Sequence, residues 1–364
     1  MTIPPERGDA PIFRYGLSSN DDAPQHKPRP LPLFLAMLRS ETEGDGARAE
    51  AALAGLRAYQ QAERPAPPVP PVTAAREGRA RLLDYGGEGR PIVVVPSIIN
   101  GPQVLDLLPE ASFLRWLATQ GVRPLLVDWG EPGADERELS IAGHVEEMLL
   151  PMLRSIDGDA ALAGYCLGGT MALAAAAIER PHALALIAAP WRFSGFGHEA
   201  RAGLGELWQA ARATAEAIGL LPLEVLQAGF WGLDPARTID KFVRFSARAA
   251  NAAAVRQFVA LEDWANGGPP LTLAAGRELV EELFGRDVTG TGAWRVAGRA
   301  IDPAVIGCPV LDIRSTTDRI VPAASAAGIG RPLELSLGHV GMIVGGRART
   351  SLWEPLAAFL RDPA

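Results

Sequence analysis

The stretch Gly164-Tyr165-Cys166-Leu167-Gly168-Gly169 narrows the folds open to this chain more than any other. It follows an apolar run, Ala160 to Ala163, and leads into a small-residue segment, Thr170 to Ile178, that reads as a helix. Strand, sharp turn and helix in that order make a nucleophile elbow, which exposes its central side chain at the end of a strand. The turn holds that residue in a strained conformation and tolerates only small neighbours. Gly164 and Gly168 meet the demand, and Gly169 lets the start of the helix lie close to the strand. A helix N-terminus favours an anion, which suits a cysteine reacting as its thiolate. Glycine-flanked buried cysteines are also common as plain packing residues, so the rest of the chain must supply partners.

An α/β-hydrolase triad runs in the order nucleophile, acid, histidine, with the acid after a late strand and the histidine after the last one. Val310 to Ser315 reads as a late strand, and Thr316-Thr317-Asp318-Arg319-Ile320-Val321-Pro322 follows it. A short helix is expected over Ala323 to Ile329 and a strand around Leu333 to Leu337, before Gly338-His339-Val340-Gly341. The order suits Cys166 as nucleophile, His339 as base and Asp318 as the group that orients it. Alone, Asp318 reads equally as a helix N-cap and His339 as a loop histidine. Their joint placement carries the argument. Asp312 is a rival acid, set inside the strand. For the oxyanion, the N–H of Leu167 follows from its position in the elbow. A second donor is expected from the loop after the strand ending at Val95, near Ser97 to Ile99 and assigned to Ile98. Asn100 is expected to hold that loop through side-chain bonds.

These residues resemble the polyhydroxyalkanoate synthase family, whose box G-x-C-x-G-G is matched by Gly164 to Gly169. The family's D-H-I-V-P looks like Asp318-Arg319-Ile320-Val321-Pro322, with arginine in place of histidine. Its G-H-I/V-x-x-x-V is similar to Gly338 to Val344, its V-P-P-x-I-N to Val95 to Asn100, and its D-W-G-x-P to Asp128 to Pro132. Leu105-Asp106-Leu107 looks like its L-D-L. The similarity runs from about Arg90 to Leu360. Gly101-Pro102-Gln103-Val104 departs from the aromatic pair usual after the asparagine, and of the W-N-x-D-x-T-x-x-P signature only Trp264 is clearly kept. The resemblance implies an acyltransferase that polymerises (R)-3-hydroxyacyl-coenzyme A through an acyl-cysteine. Its partners would be the thioester substrate, the growing polyester chain or granule surface, and a second synthase subunit or a homodimer. In length the chain looks like the short catalytic subunits that work beside a second protein. Two other readings stay open: a cysteine thioesterase or polyhydroxyalkanoate-cleaving hydrolase on the same fold, and a non-catalytic scaffold that binds granules or a synthase.

The implied architecture is an α/β-hydrolase fold: a mostly parallel sheet with flanking helices and an inserted, mainly helical cap. Residues 1–79 form an N-terminal segment, with Met1 to Pro30 expected to be mobile, two helices over Leu31 to Gln61, and a stiff linker at Pro65 to Pro71. Residues 80–190 and 301–364 make the two parts of the core, and 191–300 the cap. The chain of 364 residues, 48% hydrophobic, has material for one such core. A net charge of −7 argues against a general nucleic-acid binder. The two cysteines, Cys166 and Cys308, make no disulfide framework, and a reactive thiol fits a reducing cytoplasm with granule association. Cys308 reads as a packing residue. No metal site is expected from five scattered histidines, and no cofactor beyond the coenzyme A thioester used as substrate. No signal peptide and no transmembrane segment are expected. His144 and His198 read as surface or helix residues, Trp264 as part of the cap core, and Arg319 as a turn residue close to the site.

Overall fold

Short Val-, Leu- and Ala-rich runs separated by glycine and charged turns become the central strands in the computed structural model, which describes residues 26–66, 68–247 and 251–363. The expectation for Met1 to Pro30 falls, through residue 25, outside the described residues. Helices α1 (Leu31–Glu41) and α2 (Gly46–Gln61) come first, and Asp45 caps α2 by accepting from the Arg48 N–H. Strands β1 (Val72–Glu77), β2 (Ala80–Asp84) and β3 (Arg90–Val95) lead to α3 (Phe113–Ala118), β4 (Val122–Asp128) and the helical stretch α4 (141–154). Then come β5 (Ala161–Tyr165), α5 (Leu167–Glu179) and β6 (Leu184–Ile187). After a largely helical excursion, β7 (Val310–Ser315), β8 (Arg331–Leu335) and the helical stretch α11 (349–361) complete the core.

The sheet order is β1-β2-β4-β3-β5-β6-β7-β8, the order of the α/β-hydrolase fold. β1 with β2 and β2 with β4 pair antiparallel, and the remaining pairs are parallel. β5 and β6 are buried at every residue, as a strand covered by helices on both faces must be. The sheet begins at Val72, ahead of the boundary expected at Ala80. β1 is an edge strand with mostly exposed residues, so its sequence lacks the apolar alternation that announces a strand. Two further boundaries differ from expectation. Ala323 to Ile329 forms only a short 3-10 turn, Ala323–Ser325, because Gly328 and Gly330 take positive φ and turn the chain into β8. The last strand is Arg331–Leu335, its register with β7 running from Leu311 opposite Arg331 to Ser315 opposite Leu335.

Between β6 and β7 lie α6 (His198–Ile218), α7 (Leu223–Gly232), α8 (Pro235–Ser246), α9 (Ala252–Asn266) and the helical stretch α10 (273–285). The N–H groups of Trp191 and Arg192 both donate to Ser325 O, at 2.7 and 2.8 Å, fastening the start of this excursion to the loop after β7. α1 and α2 pack on it. Phe34, Leu38, Leu56 and Tyr59 share a buried cluster with Trp231, Ile239, Phe242 and Phe245, separate from the two clusters flanking the sheet. α2 approaches α8 at backbone distance, since a Cβ on Gly55 would lie 2.0 Å from Phe242 O. Among the described residues, no helix is long and apolar enough to cross a membrane.

Candidate active site

β5 ends at Tyr165, and the next residue turns the chain sharply into α5. Cys166 has φ 56° and ψ −133°, a left-handed conformation that costs a non-glycine residue about 1–3 kcal/mol and persists only where packing enforces it. The enforcement is visible at Gly168. A Cβ there would lie 2.2 Å from Val95 O and 2.4 Å from Pro96 O, so the elbow rests directly on the loop after β3. Cys166 N–H donates to Ile187 O at 2.9 Å, and Gly169 N–H to Cys166 O at 2.8 Å, pinning both sides of the turn.

β7 and β8 deliver the other two residues to the same end of the sheet. Asp318 and His339 are far from Cys166 in sequence, and all three come together as expected. Asp318 Oδ2 accepts from His339 Nδ1 at 2.6 Å, while Oδ1 accepts from the N–H of Ile320 and Val321 at 2.8 and 2.9 Å. The carboxylate is fully enclosed. It therefore has no solvent to compete with the imidazole, and it fixes the ring so that Nε2 is left for Cys166. Burial opposes a charge on His339. The Cys166 charge, the hydrogen bonds to Asp318 and Cys166, and the Asp318 charge outweigh it, and the imidazole is pushed up to about 10. Asp312, the rival acid, is not in this group. Buried in β7, it accepts from Arg314 Nε at 3.1 Å and Gly328 N–H at 3.2 Å, and burial raises its carboxyl above the usual range.

Tyr165 is a contributor that the sequence reading passed over. Its ring stacks on His339 with centroids 5.0 Å apart and planes 22° from parallel, and its hydroxyl donates to His339 O at 3.3 Å. Burial, and then the charges of Cys166 and Asp318, hold this phenol neutral, well above its ordinary range. The only sequence signal was its place beside the cysteine in an otherwise small-residue box.

The loop after β3 faces the elbow. Ile99 N–H is committed to Ser97 Oγ at 2.9 Å, whereas no acceptor within the described residues takes the N–H of Ile98 or Leu167. Asn100 does not hold this loop as expected: it has φ 61°, and its Oδ1 is buried without a partner. Two tryptophans hold it instead. Trp129 Nε1 donates to Pro96 O at 3.0 Å, and Trp264 Nε1, from α9, donates to Gly101 O at 2.7 Å. Trp264 is thus half-buried and bridges the helical excursion to the loop. His144 lies in a helix, as expected, but is not at the surface. It is buried against the Trp129 ring, with Nδ1 on Ser140 O at 2.7 Å and Nε2 against Arg79 at 2.6 Å. Burial is the main reason its imidazole drops to about 4, and Arg79 adds to it. His198 begins α6 and is exposed. Arg319 is exposed and pairs with Asp234 at the start of α8.

No family model matches the chain. It is 27% identical over 308 residues to the poly(3-hydroxyalkanoate) polymerase subunit PhaC of Haloferax mediterranei, covering 79% of this chain and 63% of that protein. The PhaC subunit of Haloarcula marismortui is 26% identical, with 79% and 66% covered, and that of Thiocystis violacea 23% identical, with 75% and 81% covered. The chain therefore spans slightly less than two thirds of the first two relatives. Among solved structures, a thermophilic esterase from Thermogutta terrifontis is 18% identical with a TM-score of 0.46, covering 82% of this chain and 98% of the esterase. In sequence the chain is thus similar to poly(3-hydroxyalkanoate) polymerase subunits, and its elbow and strand order are those of the α/β-hydrolase fold.

Proposed function

We propose that the chain is a polyhydroxyalkanoate synthase-type acyltransferase, polymerising (R)-3-hydroxyacyl-coenzyme A through an acyl-cysteine at Cys166. One observation carries the reading: a strained elbow cysteine faces an imidazole whose far nitrogen is held by a fully enclosed carboxylate, 2.6 Å away. Cys166 Sγ, its proton already passed to His339 Nε2, attacks the thioester carbonyl carbon. The carbonyl oxygen, now an anion, is stabilised by the N–H of Leu167 and of Ile98. When the tetrahedral species collapses, the bond to the coenzyme A sulfur breaks, and that sulfur leaves with the proton held on His339. One thioester replaces another, so the acyl group stays reactive.

In the second half, a hydroxyl of another hydroxyacyl unit gives its proton to His339, and its oxygen attacks the acyl-cysteine. An ester bond forms, and Sγ recovers the proton. Asp318 orients His339 and balances its charge throughout, and stacking on Tyr165 keeps the ring in plane. Granule association and a second subunit or homodimer belong to the same proposal.

The test is incubation with (R)-3-hydroxybutyryl- and (R)-3-hydroxydecanoyl-coenzyme A, following coenzyme A release and identifying the acyl product. Oligomer or polymer, with an acyl mass adduct on Cys166, is expected. Free hydroxy acid as sole product would replace the synthase with a hydrolase on the same scaffold. Absence of both release and adduct would overturn the enzymatic reading.

A further inference from the structure

A cavity of about 880 Å³ lies between the core and the helical excursion. Its inner wall includes Ile99, next to the candidate oxyanion donor Ile98, and Ile320, whose N–H is held by Asp318. Ile320 and Phe196, which also lines the cavity, pack against the same buried cluster as Cys166. The cavity thus borders the two loops that carry Ile98 and Asp318, although Cys166 itself does not line it. Its outer walls come from α6 and α7, with Leu204, Leu226 and Phe230 turned toward it. The ionisable residues on its lining are His198 and Glu199, both exposed at the first turn of α6. The deep part therefore offers an apolar chain no charge to desolvate, and the polar rim marks the mouth.

α6 also gives up side chains at this wall. Gly203 lines the cavity inside a 21-residue helix, where glycine costs about 1 kcal/mol relative to alanine. A Cβ at Gly203 would meet nothing within 4 Å. The helix therefore leaves open space where a side chain would fit without strain. At about 30 Å³ for each water-sized group, the cavity holds on the order of thirty such groups, far more than a four-carbon acyl unit occupies.

We propose that this cavity is the acyl-chain site and that it selects (R)-3-hydroxyacyl groups with long aliphatic side chains over 3-hydroxybutyryl. The inference rests on the acyl-transfer reading above. An alkyl chain is the occupant because the site is apolar, exceeds the short substrate and borders the loops that carry the candidate oxyanion donor and Asp318. Burial of each added methylene contributes about 0.8 kcal/mol, so discrimination by length follows from the lining alone.

The experiment compares the full-length wild type with Gly203→Leu, Gly203→Ala and Gly205→Leu. Gly205 lies on the same helix, does not line the cavity, and has open space at its Cβ. Leucine at 203 should lower kcat/KM for (R)-3-hydroxydecanoyl-coenzyme A about tenfold or more and change that for the hydroxybutyryl substrate by no more than about twofold. The Gly203→Ala and Gly205→Leu variants should behave as wild type. A second readout needs no turnover: equilibrium binding of free (R)-3-hydroxydecanoate, which Gly203→Leu should weaken by a similar factor. Equal loss for both substrates, or unchanged hydroxydecanoate binding in Gly203→Leu, overturns the cavity assignment. Binding that responds to the substitution in a chain with no thioester turnover instead refutes the acyl-transfer reading and leaves an apolar-chain site.

Discussion

Replacing Asp318 with asparagine changes one atom at the centre of the site and almost nothing in its packing. The Oδ1 of Asp318 already accepts from Ile320 and Val321, so an asparagine keeps its carbonyl oxygen there and turns its amide NH₂ toward His339 Nδ1. Two N–H donors cannot bond across the present 2.6 Å, so the imidazole must offer a lone pair at Nδ1 and carry its proton on Nε2. The proton then points at Cys166, where the mechanism needs a lone pair. The equivalent substitution in a serine-protease triad costs about 10⁴-fold in turnover, which is about 5–6 kcal/mol of barrier. Loss of the carboxylate charge should also bring His339 down from about 10. The assay is single-turnover coenzyme A release, with acylation of Cys166 followed by intact mass and thermal unfolding recorded in parallel. Expected are a fall of about 10⁴ in acylation rate and a folded protein with its melting point little changed. A loss under about tenfold, or an equal loss from Asp312→Asn, would refute the orientation argument.

Cys166→Ala should abolish acyl-enzyme formation, whereas Cys308→Ala should retain most activity, because Cys308 lies half-buried ahead of β7, at the opposite end of that strand from Asp318; coenzyme A release from both variants decides it. His144 makes stability fall in acid. Its folded value of about 4 lies below the unfolded ~6.5, so its contribution is full above the unfolded value and is lost as pH drops toward 4, up to about 3 kcal/mol. Urea unfolding across that range should steepen accordingly, and His144→Gln should flatten the dependence. Phe242→Ala should cost about 3–5 kcal/mol by opening the cluster shared by α2 and α8, measured as a lowered denaturation midpoint.

The elbow was legible because its chemistry leaves few residue choices: a backbone forced against Val95 and Pro96 admits only glycine at 168. Asp318 and His339 were legible from their order, Asp318 after the buried β7 and His339 after the last strand. Helices α1 and α2 were legible as well, because Gly44 and Asp45 interrupt them with recognisable turn and cap chemistry. What the sequence concealed depends on contacts between distant segments. β1 is a strand because β2 lies beside it, not because Val72 to Glu77 is apolar. Nothing local announces that Trp129 and Trp264 would reach the same loop from opposite sides, or that Asn100 would be left without a partner there. Stacking of Tyr165 on His339 likewise joins the end of β5 to the loop after β8.

The cluster joining α1 and α2 to α8 has a consequence for the order in which the chain is made. Phe34, Leu38, Leu56 and Tyr59 leave the ribosome well before Ile239, Phe242 and Phe245, their partners in the folded protein. At roughly 5–20 residues per second, the delay between Tyr59 and Phe242 is on the order of ten to forty seconds. Throughout that interval the nascent helices carry an uncovered apolar face while the whole first part of the sheet is being synthesised. Production of this protein should therefore depend on chaperones that hold these helices during translation, since they wait for partners made after six of the eight strands.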